Sequence, residues 1–94
     1  MAPWVNRIKS GILNTDKGIT ELPIDVHFND HLNAIHGTVW NQEWKIDFHE
    51  KEQFQYSVEL KDPWPFNGRI VMKAVIGQNC LIQELSGYNF DDVP

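Results

Sequence analysis

After Ile19 the chain alternates apolar and polar residues, and this period of two is typical of half-buried β-strands. The alternation is clearest at residues 24–27 and 46–49, which both spell Ile-Asp-apolar-His. In each copy the apolar side chains fall on one face and the aspartate and histidine fall on the other. The pattern therefore predicts that the apolar faces pack into a core while Asp and His share an outer face.

Six strands are expected from this alternation, and no helical period separates them. They lie at residues 20–28, 34–40, 43–49, 54–60, 69–76 and 80–86. Consecutive strands with short connections pair antiparallel. The sequence therefore predicts a mainly β fold of about six antiparallel strands, arranged as a meander, a small barrel or a sandwich.

The fifth strand, at residues 69–76, is apolar on both faces apart from Lys73. A strand of this kind is central in its sheet or covered on both sides. A two-residue turn at 78–79 would pair it with the last strand and place Lys73 opposite Glu84.

Residues 3–14 depart from the alternation. Trp4, Ile8 and Ile12 recur at a helical spacing, and the proline before Trp4 suits the first turn of a helix. A short N-terminal helix is therefore expected, ended by the turn-forming residues 14–18 and lying over one end or face of the sheet.

A chain of 94 residues with this apolar content suits a single domain. Its parts are the helix and turn at 1–18, the β core at 19–86 and a surface tail at 87–94. A domain of this size leaves much of its surface exposed, and association with further copies would bury more of it. We therefore expect a homo-oligomer.

Charge and cysteine content narrow the range of partners and locations. The net charge is −5, and acidic and basic residues are mixed without a run of one sign. A nucleic-acid interface needs clustered Lys and Arg, and a membrane span needs a long apolar segment, so neither partner is expected. The single cysteine, Cys80, begins an apolar run and is expected to be buried. One cysteine forms no internal disulfide, which predicts a reducing compartment and a cytoplasmic protein.

The two histidine-bearing strands allow a cross-strand row to be predicted. If residues 41–42 form a hairpin turn, His36 lies opposite Asp47 on the outer face. Pairing of the first two strands would place His27 beside His36. Such a row suits a transition metal or acid-base chemistry, yet four histidines without cysteine ligands make no standard metal motif. The preferred interpretation is a solvated strand face with no metal and no cofactor.

The loop at residues 61–68 is the second candidate feature. It holds Trp64 and Phe66 among two prolines, which restrict its conformations. Rigid aromatic side chains anchor protein partners or stack on a sugar or base. The alternative is that Trp64 folds back as a lid over the core. The candidate binding residues are Trp64, Phe66, Trp40, His27, His36 and Asp47.

Two classes of function remain, because the sequence has neither a nucleophile elbow nor a glycine-rich phosphate loop. The preferred one is a small acidic non-catalytic binding protein that sequesters a small-molecule ligand or docks on a larger protein and inhibits it. The alternative is a small β-barrel enzyme, an isomerase, cyclase or hydrolase, that acts on an organic ligand in a cavity holding the Asp/His row. Barrel width separates the two, because a core filled by side chains has no room for substrate.

Overall fold

The computed structural model describes residues 1–24 and 30–92. Within these residues the chain is mainly β, as predicted, with one four-stranded antiparallel sheet and two two-stranded ribbons. None of the described residues belongs to a helix long and apolar enough to cross a membrane. In chain order the strands are β1 Arg7–Ile8, β2 Ile12–Thr15, β3 Gly18–Glu21, β4 Ala34–Ile35, β5 Lys45–His49, β6 Gln53–Leu60, β7 Gly68–Ile76 and β8 Leu81–Asn89.

The strands β5, β6, β7 and β8 form the large sheet as an antiparallel meander. Strand β7 lies between β6 and β8, which confirms the central position predicted for the fifth strand. The last hairpin also has the predicted register, with Lys73 opposite Glu84 and Ile76 opposite Leu81. The sheet stays open, so the barrel is wrong and the meander is the predicted arrangement that forms.

The predicted N-terminal helix is wrong. Residues 3–14 instead contain β1, a 3-10 turn at Lys9–Gly11 and β2, which pairs with β3 in a hairpin. Asn6 and Ser10 adopt positive φ angles of 64° and 54°, which an α-helix does not allow. The helical spacing of the apolar residues was misleading, because isoleucines favour strands as readily as they mark a helix face. The turn-forming residues expected to end the helix form the tip of the β2–β3 hairpin.

The second predicted strand is also shorter than expected. Only β4, two residues long, is extended, and it pairs with β1 rather than with β5. The chain leaves the strand direction at His36 and Gly37, which have positive φ angles of 63° and 79°. It then runs beside the N-terminus, where the Ala2 carbonyl accepts the backbone N–H of Thr38 at 2.8 Å and that of Val39 at 3.3 Å.

The hydrophobic core lies where this N-terminal segment meets one end of the large sheet. Ala2, Val39, Val58 and Ile70 are buried together, and Trp44 packs against them. The indole Nε1 of Trp44 donates to the Val39 carbonyl at 3.1 Å, so the side chain is fixed at both its apolar and its polar end. The core therefore joins the N-terminal half of the chain to the meander.

A buried carboxylate organises the segment before β4. Asp30 accepts from the guanidinium Nε of Arg7 at 2.6 Å and from the backbone N–H groups of Leu32 and Asn33, each at 2.9 Å. The Leu32 N–H and the Arg7 guanidinium hold the pKa of Asp30 well below its usual range. The ionised carboxylate thus fastens the loop to β1, which brings β1 and β4 together.

Candidate functional site

A stack of aromatic rings marks one end of the molecule. Trp64 lies in the loop between β6 and β7, and its ring stacks on Trp4 with 5.8 Å between centroids and 27° between planes. Phe66 follows at 5.9 Å from Trp64, tilted by 60°. Trp64 and Phe66 are both half-buried. Trp64 is thus folded back onto the N-terminal segment, and the residue is still partly open to solvent.

The tip of the β2–β3 hairpin holds this loop in place. The Nζ of Lys17 donates to the Pro65 carbonyl at 3.0 Å and to Asp91 at 2.7 Å, and it lies 5.0 Å from the centroid of the Phe66 ring. Asp91 also accepts from the backbone N–H and the side-chain amide of Asn67, each at 2.9 Å. A cation over an aromatic face is attractive, and charge-assisted hydrogen bonds are the stronger kind. Lys17 and Asp91 therefore clamp the loop from two sides.

The Asp91 clamp makes a pH prediction possible. Hydrogen bonds from Lys17 and then from the Asn67 side chain lower the pKa of Asp91 from 3.8 to about 2. A carboxylate with a lowered pKa stabilises the folded chain above its unfolded pKa and loses that effect as the pH falls toward its folded pKa. Asp91→Asn should therefore lower the melting temperature most above about pH 5, and the gap to the wild type should close by about pH 2. Thermal unfolding followed by circular dichroism at stepwise pH measures this. A gap of equal size at every pH would contradict it.

Two clefts flank the stacked tryptophans. The first, which we call the tryptophan cleft, has a volume of about 330 Å³. The second, the loop cleft, has a volume of about 290 Å³ and a mostly apolar lining that includes Trp64, Phe66 and Ile70. Trp4 lines the first cleft and Trp64 the second, so the stacked pair lies between them. The tryptophan cleft is lined by the apolar side chains of Trp4, Pro23, Ile35, Trp40 and Pro63 and by Gly37, Thr38, Asn41, Gln42, Lys61 and Asp62.

Two residues that line the tryptophan cleft have a buried polar side-chain atom without a hydrogen-bond partner. Among the described residues these are the Nε1 of Trp4 and the Oγ1 of Thr38. Each such atom destabilises a folded protein by about 1–3 kcal/mol. Both belong to residues that line the same cleft, although their side chains come from the N-terminal segment and from the segment after β4. Both atoms are themselves buried, so the hydrogen-bonding groups that the cleft offers a ligand are other polar side chains of its lining, such as Asn41 and Gln42.

The predicted Asp/His row is wrong in the part of the chain where it can be checked. His27 lies outside the described residues. His36 and Asp47 are not opposite each other, because β4 pairs with β1 and β5 pairs with β6. His36 instead exchanges contacts with Asn6, whose carbonyl accepts the His36 N–H at 3.0 Å and whose N–H lies 3.3 Å from the imidazole Nδ1.

Asp47 has a different partner strand from the one predicted. It lies at the irregularity between Ile46 and Phe48, where the β5–β6 register shifts. Its carboxylate accepts from Gln55 at 3.1 Å and from the Ser57 hydroxyl at 2.9 Å, and these two bonds, Gln55 first, lower its pKa. Asp47 therefore ties the edge strand β5 to β6.

Other candidate chemistry is sparse among residues 1–24 and 30–92. They contain no group of three or more His, Cys, Asp or Glu side chains placed to hold a metal ion. Cys80 is exposed rather than buried as expected, because it follows the tight turn at the tip of the β7–β8 hairpin.

The chain matches no protein-family model, no characterised protein and no solved structure. The tryptophan cleft is thus identified by its geometry.

Part of this site is predictable from the sequence. The predicted residues Trp64 and Phe66, from the proline-containing loop, and Trp40, a further aromatic candidate, each line one of the two clefts. Trp4 was expected on a helix face, and Thr38 was not among the predicted binding residues. The one local pattern that could have indicated a role for Trp4 is its position next to an N-terminal proline. No local pattern indicates a role for Thr38.

Proposed function

We propose that the protein is a non-catalytic binding protein that holds a small ligand in the tryptophan cleft. The observation that carries the proposal is the half-exposed ring of Trp40 in a cleft of about 330 Å³ that also presents the polar side chains of Asn41 and Gln42. Ligand sites combine aromatic surface with a few polar groups that fix orientation. This cleft has both.

The size and charge of the cleft indicate the kind of ligand. Its volume of about 330 Å³ lies near the lower end of the range for small-molecule sites, roughly 300–1,000 Å³, so the ligand has one or two rings. Lys61 and Asp62 contribute one charge of each sign, which favours a neutral ligand. The Asn41 amide and the Gln42 amide oxygen can pair with hydroxyl or amide groups, while the Gln42 Nε2 already donates to the Thr38 carbonyl at 2.8 Å. A short neutral sugar has this chemistry, with an apolar ring face for Trp40 and hydroxyls for the polar side chains.

The alternative β-barrel enzyme required a barrel cavity and a His36–Asp47 pair, and the described residues form neither. The sheet is open, and Asp47 pairs with Gln55 and Ser57 instead of with His36. The single cysteine supports a reducing, cytoplasmic location for the binding protein. Docking on a larger protein through Trp64 and Phe66 stays a prediction.

Tryptophan fluorescence and saturation-transfer NMR test ligand binding directly. The probes are glucose, maltose, N-acetylglucosamine and its dimer, titrated into the intact chain. We expect saturable binding of at least one probe, and we expect Trp40→Ala to weaken it about thirtyfold, the effect of removing an aromatic anchor. No saturable response to any probe would contradict the sugar as ligand class.

Two further variants make this experiment specific. Phe90→Ala removes an exposed aromatic ring that lines neither cleft, and it should leave binding unchanged. Trp64→Ala removes the ring behind Trp4. A lid role predicts a lower melting temperature for this variant, whereas a recognition role predicts weaker binding at an unchanged melting temperature. Equal losses for Phe90→Ala and Trp40→Ala would place the binding outside the tryptophan cleft.

A further inference from the structure

The outer edge of β8 lacks most of the features that usually prevent a sheet edge from pairing. It is nine residues long and pairs with β7 over its whole length without a bulge. Natural edge strands are short, bulged, covered or protected by Lys and Pro. Strand β8 contains no Pro and no Lys, and Glu84 is its one charged residue. Among the described residues no strand pairs with this outer edge.

Hydrogen bonds at both ends of the β7–β8 ladder show which backbone groups face outward. The N–H of Gly77 donates to the Cys80 carbonyl, and the N–H of Phe90 donates to the Asn67 carbonyl, each at 2.8 Å. Hydrogen-bonded and non-bonded pairs alternate along an antiparallel ladder. The even-numbered residues of β8 therefore point their backbone groups toward β7. Leu81, Gln83, Leu85 and Gly87 point theirs toward the open edge.

We propose that a second copy of the chain occupies this edge, with the two β8 strands antiparallel about a two-fold axis at Leu85. The backbone N–H and C=O groups that point outward belong to odd-numbered residues in both copies. An odd-numbered residue of one strand must therefore lie opposite an odd-numbered residue of the other. Centring the axis on Leu85 places Gln83 opposite the partner's Gly87 and gives six backbone hydrogen bonds between residues 83 and 87 of the two strands. The two four-stranded sheets then continue as one.

The side chains of β8 are complementary to themselves in this register. Ile82 of each copy comes to lie opposite the partner's Tyr88, and these side chains are 60% and 51% exposed in the single chain. An aliphatic residue opposite an aromatic one is a favourable cross-strand pair. Glu84 lies opposite the partner's Ser86, whose hydroxyl can donate to the carboxylate. The exposed side chain of Leu85 meets the partner's Leu85 on the other face.

Charge excludes the neighbouring register. Moving the axis from Leu85 to Glu84 keeps odd residues opposite odd ones but sets the two Glu84 carboxylates directly opposite each other. Like charges directly opposite each other destabilise a sheet. Moving the axis to Ser86 shortens the paired segment and removes the contact between Ile82 and Tyr88. The axis at Leu85 is thus the one that uses the full strand without a charge conflict.

Sedimentation and light scattering of the intact chain test the dimer. Between about 1 µM and about 200 µM protein we expect the mass to rise from 11.0 kDa toward twice that value, because dimers form by mass action. The matched variants are Ser86→Lys and Ser86→Glu, which add side chains of similar length and opposite charge facing the partner's Glu84. Each dimer contains this pair twice, so the lysine should tighten dimerisation and the glutamate should weaken it, each by about two- to thirtyfold.

A second pair of variants controls for net charge and for folding. Ile19→Lys and Ile19→Glu make the same changes of charge on β3, at a residue that is 72% exposed, and should leave dimerisation unchanged. Far-UV circular dichroism confirms that every variant is folded. A wild-type chain that remains at 11.0 kDa at every protein concentration overturns the proposal. The edge of β8 would then be open for pairing with a strand of another protein. A dimer with equal responses to Ser86→Lys and Ser86→Glu overturns the register.

Discussion

Gly37→Ala is expected to lower the free energy of unfolding by more than about 3 kcal/mol. Gly37 has a φ angle of 79°, and holding an alanine in this left-handed region already costs about 1–3 kcal/mol. Its Cβ would also collide with the Ala2 carbonyl, which is backbone and cannot swing aside. That carbonyl accepts the N–H groups of Thr38 and Val39, so moving it disturbs the core contact of the N-terminal segment. Urea unfolding followed by far-UV circular dichroism measures the change.

Gly18→Ala is the matched control for this variant. Gly18 also has a positive φ angle, 103°, but no atom lies within 4 Å of the position that its Cβ would occupy. The control therefore carries backbone strain without a collision, and it should lose clearly less stability than Gly37→Ala. Equal losses for the two variants would mean that the close approach of residues 2 and 37 does not matter.

Ile70→Ala should destabilise the chain by about 2–5 kcal/mol, the usual range for deleting this much of a buried side chain. Ile70 is 5% exposed and packs with Ala2, Val39 and Val58 where the two halves of the chain meet. A domain of this size has a total stability of roughly 5–15 kcal/mol, so the loss is a large part of it. Few side chains among the described residues are as deeply buried, which leaves little neighbouring core to fill the cavity. The midpoint of urea unfolding reports the change.

The control for this variant is Ile46→Ala on β5. Ile46 is the same residue type on the same sheet, but it is 60% exposed. Surface substitutions of this kind usually change stability by less than about 0.5 kcal/mol. If Ile46→Ala were as damaging as Ile70→Ala, the core would not lie at the end of the sheet described above.

The later half of the chain could be predicted because its contacts are close in sequence. Alternation located β6 and β7, and the turn at residues 78–79 fixed the register of Lys73 against Glu84. A two-faced apolar pattern correctly placed β7 in the interior of the sheet. Each of these features depends on residues within one hairpin, which a local pattern contains.

The first half was predicted less well because its structure depends on distant contacts. Strand β1 pairs Arg7 with Ile35, and no local pattern shows this pairing. Asn6, Ser10 and His36 adopt positive φ angles, which are uncommon for residues other than glycine, so the breaks in the predicted helix and strand could not be seen. The Asp/His row failed for the same reason, because it assumed that the second strand continued past His36.

The candidate functional site is likewise predictable only where its residues are close in sequence. The proline-containing loop around Trp64 is visible as a short motif, whereas the contacts that complete the site join residues far apart in the chain. Lys17 reaches Asp91 across the molecule, and Trp4 stacks on Trp64. Each of these residues has an ordinary role when it is considered alone. The sequence therefore indicates the aromatic anchors but does not reveal the cleft that they form.

The position of the tryptophans has a consequence for how the protein can be observed. Trp4 stacks on Trp64, Trp40 lines the neighbouring cleft, and Trp44 packs on the core that joins the two halves. All four indoles therefore report optically on one junction, and β7 and β8 carry none of them. Fluorescence follows the separation of the N-terminal half from the meander, while far-UV circular dichroism follows the sheet itself. The two signals together distinguish undocking from melting, because in a two-state transition they change together.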